Sequence, residues 1–314
     1  MSRALPTPDE IVALSRAIPP EVRFGASTWT YPGWTGLVYS RHYPASGASD
    51  RMLAEYATFP LFGTVGLDSS YYGPPKPATL AKWARALPAG FKMVSKVWDR
   101  ITVHTWTEGR EKAKAGQRNP DFLNAELFHD EVWAPYRTHL GDHTGPFVFE
   151  FQTIAQRDRV TPDKFVTLLD EFLGELPDDG EYGVEVRNEE FLGPAYFAVL
   201  REHGVAHVFS SWTRMPSLGD QLDLPGSLTG RFLLARALLR PGRSYAEAVD
   251  EFAPYDRIRE PNPRIRRDLA RLAWTAATLR IPAYLLVNNR VEGSAPLTIA
   301  AVAGILAEGP PEER

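Results

Sequence analysis

Side chains able to do chemistry collect at the ends of short apolar runs. Trp29 and Tyr31 follow VRFGAST, Asp68, Tyr71 and Tyr72 follow TVGL, and Lys96 and Trp98 close FKMVSKV. Further along, Glu150 and Gln152 flank Phe151, Glu185 and Arg187 flank Val186, Ser211 and Trp212 end VAHVFSS, Arg236 ends RFLLAR, and Asn288 and Asn289 follow AYLLV. Lys96, Arg187 and Arg236 form a candidate anion site, since guanidinium forks match phosphate or carboxylate and an ammonium adds a compact charge. The competing structural reading is a ring of salt bridges with Asp68, Glu150 and Glu185.

Two of these residues are candidate catalytic groups. Lys96 could act as a Schiff-base nucleophile if desolvated beside other cations. Glu185, with Arg187 two residues away, suits a base or an orienting group better than an acid. A glycosidase needs two carboxylates across the scissile bond, and Asp68, Glu150 and Glu185 could supply them. The expected ligand contacts are Trp29, Tyr31, Asp68, Tyr72, Gln152, Arg187, Arg236 and Asn288. Aromatic faces with polar tips stack on sugars and bases. Together with the cations they point to a small anionic or sugar-like ligand carrying a ring.

Composition narrows the chemistry. The 314 residues include no cysteine, which removes disulfides, thiolate metal sites and a cysteine nucleophile. Of the seven histidines only His104 falls near a strand end, so a zinc cluster is not expected. No cofactor is evident, and one magnesium ion held by carboxylates and a substrate phosphate stays open. A net charge of −4 ranks nucleic acid below small-molecule ligands. The densest basic stretch, RIRRDLARLAWTAATLR at 264–280, has helical spacing and reads as a solvated helix face. No apolar run approaches the roughly 20 residues of a membrane span, and the first twenty residues lack a signal-like apolar core. The expected setting is cytoplasmic, without membrane contact.

The elements that must position these side chains alternate in type. Eight β-branched, apolar runs are expected as strands near 22–28, 64–69, 91–97, 146–151, 182–187, 205–211, 231–236 and 283–288, with helical patterns between them. Thr161-Pro162 reads as a helix N-terminus, and Gly204 stops the helix that Pro194 begins. Strand periodicity sets Glu150 with Gln152, and Glu185 with Arg187, on faces opposite Phe149, Phe151, Val184 and Val186. A doubly wound sheet would put a glycine-rich phosphate loop after the first strand, where this chain has GASTWTYPGW. The expected fold is therefore α/β, a single (β/α)8 TIM barrel over 21–308, with an N-terminal extension at 1–20, a tail at 309–314, and a long loop and helical excursion at 105–140 after strand three. In such a barrel the ligand site lies at the strand C-termini.

The motifs, in their order, resemble the family of domain of unknown function 72, also called YecE-like, from about Arg23 to Leu306. FGASTWTYPGW resembles its opening strand and Gly-Trp-x-Tyr loop, with Thr28 where glycine is usual. LDSSYYGPP is similar to its Asn-Ser-Thr-Phe-Tyr-x-x-Pro segment, with Asp68 for asparagine. FKMVSKVWDRITVH resembles its lysine stretch, matching Lys96, with Val103 intruding before His104. VEVRN matches Glu185 and Arg187, and VNNRVEGSA matches Asn288 and Asn289. Gln152 is kept but followed by TIAQ instead of leucine-proline. Arg236 is kept within LARALL, where the family commonly has Arg-Leu-His-Gly, so a histidine is lost. The resemblance implies a TIM barrel and names no reaction, because fold does not transfer function. The functional expectation is a hydrolase, lyase or isomerase acting on a phosphorylated or carbohydrate-like ligand. The alternatives are a non-catalytic ligand sensor and a nucleic-acid processing protein.

Overall fold

The computed structural model describes residues 5–44, 46–108, 112–239, 249 and 251–310. Eight parallel strands are found: β1 Val22–Ala26, β2 Thr64–Leu67, β3 Lys92–Lys96, β4 Thr144–Phe151, β5 Tyr182–Val186, β6 Ala206–Ser211, β7 Leu233–Ala237 and β8 Ala283–Val287. From β2 to β8 each strand pairs with the next, and β1 pairs with β8, so the sheet curls into a (β/α)8 TIM barrel. The alternation of buried β-branched runs with amphipathic helices leaves few other ways to cover both faces of a parallel sheet.

Closure between β1 and β2 does not rely on a ladder. The buried Tyr56 hydroxyl accepts from Ala26 N–H at 2.7 Å and donates to the Thr64 carbonyl at 3.0 Å. Gly63 N–H donates to the Phe24 carbonyl at 2.8 Å. Glycine at position 25 permits this approach, since a Cβ there would stand 2.1 Å from the Thr64 carbonyl oxygen. Tyr56→Phe removes both bonds of the hydroxyl and leaves two buried backbone groups unpaired. We expect a loss of about 2 kcal/mol, read as a lower urea midpoint with unchanged slope.

The helices carry the signals their sequences advertise. Thr161 caps Pro162–Gly174 by accepting from Lys164 N–H, and Gly204, at φ +65°, follows Pro194–Glu202. Residues 8–15, within the expected N-terminal extension, form a helix with a Thr7/Glu10 capping box that packs on the final helix, Ala295–Glu308. The excursion after β3 contains short helical pieces, including Ala125–Phe128 and Ala134–His139. Two apolar groupings show the strand parity. Val94, Val148, Val208, Leu234 and Leu286 cluster separately from the larger set that includes Phe149, Phe151, Val184 and Val186. The former fill the barrel and the latter meet the helices, which leaves the alternate positions at the strand C-termini for the charged residues. Among the described residues no helix is long and apolar enough to cross a membrane.

Candidate functional site at the barrel mouth

Arg236, from β7, stands at the centre of three carboxylates. It lies 2.6 Å from Glu150 on β4 and 2.8 Å from Asp68 after β2, and it pairs closely with Glu185 on β5. Arg187 reaches Glu185 at 2.6 Å and Glu150 at 3.0 Å, and Lys96 from β3 reaches Glu150 at 2.9 Å. Three cations thus balance three carboxylates. Arg187, Arg236, Glu150 and Glu185 are almost completely buried, while the Asp68 side chain keeps 32% exposure and that of Lys96 12%. The salt-bridge ring is therefore present, and any anion site built from Lys96, Arg187 and Arg236 has to share these cations with it.

Electrostatics fix the central charges. Burial opposes ionisation of Glu150, but Lys96, Arg187 and Arg236 together outweigh it and hold the carboxyl well below the ordinary carboxylate range. Burial likewise opposes the charge of Arg236, and Glu185, Asp68 and Glu150 more than restore it. Glu150 is therefore a permanent anion at neutral pH and no source of a proton. Lys96 also sits 3.8 Å from the centre of the Tyr71 ring, and the Arg187 guanidinium lies 3.9 Å from that of Trp212. Such stacking suits cations in a water-poor setting. Nε and Nη1 of Arg187 are buried and have no hydrogen-bond partner among the described residues.

The expected ligand contacts divide into those at the mouth and those used by the scaffold. Gln152 is exposed and donates to Glu150 at 2.6 Å, linking solvent to the ring. Tyr72 is 65% exposed and meets Tyr71 edge-on, and Tyr31 is half-buried against Trp34 and Tyr255. Trp29 is committed to packing: its indole N–H donates to the Ser49 carbonyl, and its ring meets Trp83 edge-on in the helix layer. An aromatic residue at a strand end serves the helices as readily as the mouth. Asn288 is buried, and its side-chain oxygen accepts from Arg290 N–H at 3.0 Å. Asn289 accepts from Ala295 N–H at 2.7 Å and so ties the loop after β8 to the final helix.

His104 stays outside the ring, packed edge-on against Phe122, and its partial burial lowers its pKa. Among the described residues no group of three or more His, Asp or Glu is arranged to hold a metal ion. The positive centre of Asp68, Glu150 and Glu185 is instead a guanidinium. The basic stretch at 264–280 forms the helix Pro263–Leu279, whose Arg264, Arg266 and Arg271 pair with Asp220, Glu292 and Asp223.

Sequence reasoning did not single out the cleft beside the ring. Tyr72, Trp98 and Asp99 meet Trp106, Lys114 and residues 117–121 of the excursion there, around a space of about 430 Å³. The mixture of Trp106, Lys114 and Arg118 within one long insertion was the available signal.

A barrel with a buried ion network at the C-terminal ends of its strands defines the class: a TIM-barrel protein with its candidate site at the usual mouth. The family model for the protein of unknown function DUF72 matches residues 23–313, and the chain belongs to that family. A DUF72 family protein from Thermotoga maritima is similar in structure, with a TM-score of 0.60 and 18% identity over 91% of this chain and 99% of its own. One from Enterococcus faecalis gives 0.59 and 17%, over 91% and 97%. At such identities the likeness is one of fold. No curated protein sequence matches the chain.

Proposed function

We propose that the protein binds a phosphorylated or carbohydrate-like small molecule at the C-terminal mouth of the barrel and acts on it as a hydrolase, lyase or isomerase. The observation that carries this reading is the buried ring of Asp68, Glu150, Glu185, Lys96, Arg187 and Arg236 opening to solvent through Gln152 and Asp68. Such a ring contributes less to stability than apolar residues of the same volume, so its presence at the mouth is better accounted for by use than by folding. Glu150, held ionised, and Glu185, paired with two guanidinium groups, supply base or orienting chemistry. Glu150 does not serve as a glycosidase acid, because a carboxyl held well below its ordinary range donates no proton at neutral pH. Lys96, tied to Glu150 and resting on Tyr71, serves this reading as a positioned cation and not as a Schiff-base nucleophile.

One observation favours a non-catalytic sensor as the second reading: all three carboxylates already have cationic partners. A nucleic-acid processing role ranks lower, because Arg264, Arg266 and Arg271 of the helix Pro263–Leu279 are engaged by neighbouring acids.

The test is a thermal-shift panel of sugar phosphates, nucleotides, oligosaccharides and short DNA, with and without magnesium, on the wild type and Gln152→Ala. Ligand at about 100 times its Kd adds about 2.7 kcal/mol, which raises the midpoint by several degrees. The expected result is a shift with phosphorylated or carbohydrate ligands that shrinks in Gln152→Ala. A flat panel contradicts the reading. Recovery of the bound ligand unchanged selects the sensor, and binding that falls steeply with salt selects nucleic acid.

A further inference from the structure

Every charged group of the ring has an opposite charge beside it, but the hydrogen-bonding capacity of one cation is unspent. Arg236 donates from Nη1 to Glu150 and Glu185 and from Nη2 to Asp68. Arg187 meets its two carboxylates through Nη2, while its Nε and Nη1 are buried without a hydrogen-bond partner among the described residues. Three of the five guanidinium N–H groups thus lack an acceptor, in a side chain only 2% exposed. Folded chains leave few buried donors in this condition, because each costs at least what a hydrogen bond is worth. The backbone that carries Arg187 is also fixed. Its carbonyl accepts from the Thr153 hydroxyl at 3.3 Å, and the neighbouring Asn188 side chain bonds the N–H and the carbonyl of Ile154 at 2.8 and 3.1 Å. That leaves little slack for bringing the unpaired donors to another acceptor.

Trp212 lies against this guanidinium, with its ring centre 3.9 Å from the Arg187 Cζ. It is the first residue after β6 and is half-buried, so part of the indole rests on Arg187 and part meets solvent. Leu239 and Phe252 pack beside it. The turn that carries it is anchored at both ends. Ser211 accepts from Leu238 N–H at 2.8 Å through its hydroxyl and from Leu239 N–H at 3.2 Å through its carbonyl, and Ser217 caps the helix Leu218–Leu222. The indole itself is held by packing and by the cation, with no hydrogen bond from its N–H among the described residues. A side chain held in this way can turn aside without breaking a hydrogen bond and without moving the backbone.

We propose that Trp212 is a movable cover and that Arg187 beneath it recognises the hydroxyl groups of a carbohydrate ring, a proposal that rests on the ligand-binding reading above and names the sugar as the group held. When the indole turns aside, ring oxygens accept from Nε and Nη1. The charge of Arg187 is already met by Glu185 and Glu150, so its unspent N–H groups call for neutral oxygens. An oxyanion in the same place would stand beside Glu150, which is held ionised, and would compete with it for the guanidinium. Several unpaired donors on one rigid plane suit hydroxyls at fixed spacing, as a sugar ring carries them.

The test follows the Arg187 Nε–H in the nitrogen-15 NMR spectrum of the full chain, with glucose, ribose, glucose 6-phosphate and inorganic phosphate as probes. Two variants identify the signal independently. It disappears in Arg187→Lys, which keeps the charge, and it moves in Trp212→Ala through loss of the indole ring current, so the assignment survives if the lysine variant does not fold. The expected result is a shift of this signal by a sugar and by glucose 6-phosphate, and none by inorganic phosphate. Without ligand, the Nε–H should exchange with water on the order of tenfold faster in Trp212→Ala than in the wild type, as removal of a cover requires. Equal exchange in the two proteins overturns the cover. A shift by inorganic phosphate equal to that by the sugars overturns the choice of carbohydrate. Sugar binding seen by titration calorimetry, with the Arg187 signal unmoved, overturns the subsite and leaves the mouth reading standing. No sugar bound, with another ligand positive in the thermal panel, overturns this proposal alone. A silent titration together with a flat panel overturns both.

Discussion

Arg236→Ala is expected to cost about 3–5 kcal/mol of folding stability, the usual penalty for breaking a buried ion pair from one side. Its guanidinium is shared by Asp68, Glu150 and Glu185, and its side chain is only 2% exposed. The substitution leaves three carboxylates facing Lys96 and Arg187, with one negative charge uncompensated. On the scale of this chain the melting midpoint should fall by about 5–8 °C. Adding Glu150→Gln restores the balance at two charges of each sign, so the double variant should regain part of the loss. Arg236→Lys should fall between wild type and alanine, because one ammonium cannot present a planar fork to three partners. Urea denaturation of the four proteins measures these differences. Equal stability of Arg236→Ala and wild type would mean that water reaches the ring and replaces the guanidinium.

Acidification is expected to remove stability in two steps. His207, on β6, is buried among Tyr196, Phe197 and Phe209, and burial pushes its imidazole down to about 3. In the unfolded chain it titrates near 6.5, so between that pH and about 3 the unfolded state binds a proton that the folded state refuses. The His207 contribution is fully present above the unfolded value and is lost at about 1.4 kcal/mol per pH unit as the pH falls through the window. By pH 4.5 the loss is about 3 kcal/mol. His104, depressed by partial burial, acts with the same sign. Glu150 adds a second step. Its folded pKa lies well below the ordinary value, so its stabilisation is present above about 4.3 and is lost only as the pH falls below that value. Urea midpoints at a series of pH values measure both steps. His207→Phe should flatten the upper step and leave the lower one, and Glu150→Gln should do the reverse.

The barrel was legible because its signals are local. Parity in FVFEF and GVEVR fixes which residues face the helices, and the structure divides Phe149, Phe151, Val184 and Val186 from the barrel filling accordingly. Strand ends were less legible: β4 begins at Thr144 and β7 extends to Ala237, since neighbouring strands, not residue type, decide where a ladder stops. The inward direction of Glu150, Glu185 and Arg187 could likewise be read from alternation.

Their pairing could not. Arg236 meets Asp68 across 168 positions of chain, and only closure of the barrel decides which carboxylates a guanidinium reaches. Trp29 and Asn288 show the limit of reading a strand end as a ligand position, for the same ends must also fasten helices and turns. The cleft stayed hidden for a related reason. Its lining joins Tyr72 after β2 to Trp98 after β3 and Arg118 in the excursion, and no spacing in the sequence marks three loops as neighbours.

The most direct test of the central claim, that the barrel mouth is a ligand site, is a crystal structure of the chain soaked with glucose 6-phosphate. The account predicts ligand density at the mouth, bounded by Tyr72 and Gln152, with the charged ring still paired beneath it. Density elsewhere on the molecule, or an empty mouth at saturating ligand together with a flat thermal panel, would contradict it and leave the ring as part of the scaffold.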